Sequence, residues 1–78
     1  MPRYFFHLHN DLETRDEEGL ELPDLAAAQK IAEQEARAMA AQSVANGRLD
    51  LKHSIEVTDA SGATVVLVSF GEAVEIVR

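Results

Sequence analysis

The sequence predicts an α+β two-layer domain: an antiparallel sheet of three or four strands with one long helix on one face. The expected order is β-β-α-β-β, closed by a short C-terminal helix or strand. Three observations predict it. Aromatic or β-branched runs lie at both ends of the chain, an alanine-rich stretch between helix caps separates them, and a hairpin turn joins the two late runs. The chain has 78 residues and only about two dozen apolar side chains larger than alanine. That is material for a single thin core, so residues 1–78 are expected to form one domain.

The first strand is read at Arg3-Tyr4-Phe5-Phe6-His7-Leu8-His9, which ends in the turn-favouring pair Asn10-Asp11. Alternation puts Tyr4, Phe6 and Leu8 on one face and Arg3, Phe5, His7 and His9 on the other. Asp16-Glu17-Glu18-Gly19 has the form of a turn whose last residue takes positive φ. Short strand pieces at Leu12 to Arg15 and Leu20 to Leu22 are expected to make a small hairpin or edge ribbon around it.

Pro23 ends that strand, Asp24 suits an N-cap and Asn46-Gly47 a C-cap, giving a helix of about 22 residues. Nine of the twelve alanines lie in it. Leu25, Ala28, Ala32, Ala36, Met39 and Ser43 share a stripe flanked by Ile31 and Ala40, opposite Gln29, Lys30, Glu33, Gln34 and Arg37. Small teeth let such a helix approach a sheet closely while burying little area per turn. His53 to Asp59 and Ala63 to Phe70 follow as a hairpin about Asp59-Ala60-Ser61-Gly62. Ile55 and Val57 face opposite to Ser54, Glu56 and Thr58. In the last strand Val65 and Leu67 point one way and Val66, Val68 and Phe70 the other, which reads as burial on both sides. The tail Gly71 to Arg78 carries Ala73, Val74 and Val77 at helical spacing after Phe70, and is expected as a short helix, with an extended strand as the alternative.

Seven basic and 14 acidic residues give a net charge of −7, which repels a phosphate backbone and sets nucleic acid aside as a partner. Residues 11 to 24 hold seven acids against Arg15, so the acidity is local. No apolar run of about 18 residues is present, and Arg3, His7 and His9 stand where a signal core would be apolar. No membrane segment is expected, and a cytoplasmic protein is. Cysteine is absent, which removes disulfides, thiolate zinc sites and a cysteine nucleophile.

His7, His9 and Asp11 share one strand parity, a pattern that holds a divalent ion when further ligands converge. They are the candidate metal ligands. The acidic block does not fit a 12-residue calcium loop: with Gly19 at position 6, Thr14 falls at position 1 and Leu25 at position 12. Ser43, Ser54, Ser61 and Ser69 lack a nucleophile elbow, and no glycine-rich phosphate loop occurs. Neither an enzyme nor a cofactor is expected.

The opening Met1-Pro2-Arg3-Tyr4-Phe5-Phe6-His7, the block Asp16-Glu17-Glu18-Gly19-Leu20-Glu21-Leu22-Pro23-Asp24-Leu25 and the late Ile55-Glu56-Val57-Thr58-Asp59 with Gly62 resemble a family of short bacterial proteins classed as a domain of unknown function. The resemblance covers nearly the whole chain and implies no activity, cofactor or catalytic residue. The layout of small sheet and helix is also similar to that of bacterial antitoxins, which implies a regulatory protein partner by analogy of layout alone.

One helix about 10 Å across covers two strands, so a second sheet face is expected to need another cover. Phe5, Val66, Val68 and Phe70 are the expected interface residues. Either the tail or a second copy of the chain would cover them, and a homodimer, formed by sheet packing or edge pairing, is the expectation. The function read from the sequence is a non-catalytic, self-associating interaction module, with a metal binder or an antitoxin-like partner as alternatives.

Overall fold

The computed structural model describes residues 1–77. Its elements are β1 (Arg3–His9), β2 (Glu13–Thr14), β3 (Leu20–Glu21), α1 (Leu25–Ala45), β4 (Ser54–Thr58), β5 (Thr64–Ser69) and α2 (Phe70–Ala73). The expected α+β class is the observed one. The sheet is antiparallel, ordered β2-β1-β4-β5, with β3 also on β1. Both ends of α1 are set by the residues read as caps. Asp24 accepts the Ala27 amide at 2.9 Å. At the other end Gly47, at φ 88°, lets its own amide reach Val44 and that of Arg48 reach Ser43, a Schellman closure.

Register decides which side chains meet the helix. Phe6 stands opposite Val57, Leu8 opposite Ile55, Ile55 opposite Val68 and Val57 opposite Val66. Cross-strand partners share a face, so these residues form one apolar surface. Ala28, Ala32, Ala36 and Ala40 are buried against it, at successive i, i+4 positions of α1. The helix lies over β4 and β5, and its alanines allow the close approach that their number implied.

Three expectations change. Val66 and Val68 face the helix, and Phe70, 1% exposed, sits in α2 and completes the same core, so of the four expected interface residues Val68 and Phe70 are buried and Val66 is partly buried within one chain. Only Phe5 lies on the other face, opposite Thr58. That face is polar: His7, His9, Ser54, Glu56, Thr58 and Ser69 line it, and Leu67 stands among them. The last strand is therefore buried on one side only.

The expected acidic hairpin is an interrupted edge instead. Both β2 and β3 pair with β1, at Leu8↔Thr14 and Tyr4↔Leu20, and residues 15–19 loop out between them. The tail helix begins one residue early and ends at Ala73, because Ser69 and Glu72 form a capping box and Val74 returns to extended backbone. Helix α2 packs on α1, where Arg37 Nε donates to the Ala73 carbonyl at 2.7 Å. It covers the helix layer and not the second face. Arg78, the end of the expected tail helix, lies outside the described residues.

Candidate functional site

The expected ligands His7, His9 and Asp11 do not converge. His7 is 4% exposed, its Nδ1 accepts the Asp16 amide at 3.0 Å and its Nε2 lies 3.0 Å from Thr58 Oγ1. An accepting Nδ1 leaves the proton on Nε2, which donates to Thr58. Neither nitrogen is free for a metal. His9 turns to two carboxylates, Glu56 at 2.7 Å and Glu13 at 3.3 Å. Asp11 lies past the strand in a separate cluster with Arg48 at 3.0 Å and His53 at 3.5 Å. Among the described residues, no group of three or more His, Asp or Glu side chains is arranged to hold a metal ion. The parity was right for His7 and His9, but the partners on facing strands claimed each ring.

The carboxylates follow the same pattern of internal use. Burial opposes ionisation of Asp16, and the amides of Gly19, Phe6 and Glu18 outweigh it, holding this carboxyl below the ordinary Asp value. The Thr64 hydroxyl and then His9 hold Glu56 below the ordinary Glu value. Glu35 on α1 is pushed up, first by partial burial and then by the Asp16 charge. Asp59 is lowered by the Ser61 hydroxyl and by amides of its own turn. Each shift has a local structural cause.

The two sheet edges differ as well. On the β1 side, β2 and β3 have two residues each, and the loop between them is acidic. On the other side, β5 reads Thr-Val-Val-Leu-Val-Ser, without charge, proline or glycine, and no strand of the described residues pairs with its outer edge. Such an edge offers unpaired backbone groups to another strand. Leu67 at its centre is 60% exposed. Beside it a groove of about 230 Å³ runs between α1 and β5, lined by Gln29, Glu33, Val66, Leu67, Val68 and Glu72. A second, more apolar groove of about 380 Å³ opens among Tyr4, Leu25, Val65, Arg3 and the Asp59 turn.

The sequence model of one protein family matches residues 3–71, from the start of β1 into α2. The chain belongs to DUF6894, a domain of unknown function. No curated protein and no solved structure matches it. The DUF6894 match takes in every strand of the described residues and all of α1, so both the interrupted acidic edge and the open β5 edge lie within it. Among its described residues no helix is long and apolar enough to cross a membrane.

The sequence reading of this DUF6894 chain missed Leu67 as a surface residue. Simple counting outward from the Asp59–Gly62 turn does not give its register: a bulge between Val57 and Thr58 pairs Val66 with Val57 and Val68 with Ile55, and only that pairing turns Leu67 to the face of Glu56.

Proposed function

We propose that this domain is a non-catalytic protein-interaction module that works by strand addition at the β5 edge. The observation that carries the reading is the asymmetry of the edges: a six-residue uncharged edge strand on one side, a broken acidic edge on the other. Natural sheets guard long edges with lysine, proline or short strands, and β5 has none of these within it. A bulge between Val57 and Thr58 bends only its start, leaving Val66 to Ser69 regular. Main-chain pairing would supply affinity and Leu67 with the adjoining groove would supply selectivity.

The absence of catalysis in this reading rests on the engagement of the reactive side chains. His7 is held by Thr58 and the Asp16 amide, His9 by Glu56, and His53 by Asp11 and Asp50. An antitoxin-like role, in which another protein is the partner, is a different occupant of the same edge and is tested in the same way.

The test is a titration of the ¹⁵N-labelled chain with short extended peptides rich in valine and threonine. Shifts confined to Thr64–Ser69 and the groove residues Gln29 and Glu33 are expected. Shifts centred on the acidic edge, or no shift at any site, would contradict the reading.

A further inference from the structure

The strand-addition reading leaves the occupant unnamed, and the chemistry of the edge is self-complementary. Resting on that reading, we infer that the occupant is a second copy of the chain, with β5 paired antiparallel to β5 about a two-fold axis at Leu67.

The backbone sets the register. Phe70 donates its amide to the His53 carbonyl at 2.7 Å, which makes Phe70 and His53 a hydrogen-bonded pair. Antiparallel pairs alternate, so Val68 with Ile55 and Val66 with Val57 are bonded pairs as well, and Leu67 and Ser69 turn their amides and carbonyls outward. Glu72 Oε1 already accepts the Ser69 amide at 3.3 Å. Leu67 is left as the central residue with both backbone groups open. An antiparallel strand centred on another Leu67 exchanges both hydrogen bonds at that single position, and a two-fold axis guarantees the match.

Side chains agree with this register. Leu67 would meet its own copy about 5.5 Å away, covering two exposed leucines on an otherwise polar face. Val66 of one copy would stand opposite Val68 of the other, on the helix side, and the groove between α1 and β5 would close over the seam.

Charge selects the occupant. The seven acids of residues 11–24 border the opposite edge, about three strand spacings or ~15 Å from β5, beyond a Debye length of ~8 Å in physiological salt. A basic partner finds its complement there. The β5 strand itself is uncharged, with Glu33 and Glu72 set back in the adjoining groove and Glu56 beside Leu67, so its edge suits an uncharged strand, and this chain carries one. The interrupted acidic edge cannot repeat the pairing, so association stops at two.

Sedimentation velocity on the full chain, from micromolar to millimolar concentration, reads the result. A monomer–dimer equilibrium without larger species is expected. Leu67→Lys should weaken it at least about tenfold, and Leu12→Lys, the same charge change at the acidic edge, should not. Because the chain has no cysteine, Leu67→Cys gives a clean register probe: mild oxidation should cross-link it as a dimer, and Thr64→Cys should not cross-link. A strict monomer that still takes up the valine–threonine peptides would overturn the dimer and leave strand addition standing. A strict monomer that takes up none would overturn both. Species larger than a dimer, or cross-linking through Thr64→Cys alone, would overturn the two-fold register.

Discussion

Asp16 Oδ2 accepts the backbone amide of Phe6 at 3.1 Å, at the point where β1 has lost its neighbouring strand. The carboxylate stands in for the carbonyl that an unbroken edge would supply. Its other oxygen accepts the amides of Glu18 and Gly19, each at 3.1 Å, so one side chain both shapes the loop and repairs the ladder. Replacing Asp16 with Ala removes three acceptor contacts and should cost about 2–3 kcal/mol in urea unfolding. Asn, which keeps an acceptor oxygen, should recover part of this.

The same group sets a pH dependence. Its folded pKa lies below the unfolded value of 3.8, so its stabilisation is complete above that value and is lost as pH falls through the folded pKa. Glu35 has the opposite sign. Its raised folded pKa means that ionisation disfavours the fold, a penalty absent below its unfolded value of 4.5 and felt as pH rises through the folded pKa. Thermal unfolding should therefore show Asp16→Asn losing its deficit against the parent below about pH 4, and Glu35→Gln exceeding the parent at neutral pH.

The His7–Thr58 hydrogen bond lies on the polar face with both residues buried. Thr58→Val keeps the shape and leaves the Nε2 proton without an acceptor, which should cost about 1–3 kcal/mol. Nitrogen NMR should find the Nε2-protonated tautomer of His7 in the parent. An Nδ1-protonated ring would contradict the role given to the Asp16 amide.

Two glycines with positive φ should respond differently to alanine. At Gly19, φ 71°, a Cβ would fall 2.8 Å from the Tyr4 carbonyl oxygen and 2.9 Å from the Phe5 ring, whereas at Gly62, φ 87°, it meets nothing within 4 Å. Gly62→Ala should cost about 1–2 kcal/mol for the left-handed backbone alone. Gly19→Ala should cost clearly more, since the loop must also move off Phe5. Equal losses in chemical denaturation would refute the close packing of the acidic loop on β1.

Much of this fold was legible because local signals agreed. Asp24 and Asn46-Gly47 bounded α1, and Asp59 with Gly62 placed the late hairpin, because capping and turn geometry are carried by the residues themselves. Faces and edges were less legible, since they depend on pairing between distant segments. Val66, Val68 and Phe70 are apolar whichever way they point, and only the register with Ile55 and Val57 turns the two valines beneath α1. For the same reason His7, His9 and Asp11 resembled a ligand set until Thr58, Glu56 and Arg48 arrived from elsewhere in the chain.

Salt should strengthen self-association. Each copy carries −7, so the long-range force between copies is repulsive, and the proposed seam itself has no ion pair within β5 to screen. Raising sodium chloride from low to physiological strength should tighten the dimer in light scattering. Weakening with salt would mean that charged groups hold the copies together.

The most direct measurement is hydrogen exchange at the Leu67 amide as a function of protein concentration. That amide faces the open edge in one copy and is hydrogen-bonded in the pair, so its protection should rise with concentration. The Val68 and Val66 amides, already bonded to β4, should change far less. A Leu67 amide that exchanges rapidly at every concentration, in a chain otherwise protected, would contradict strand pairing at β5.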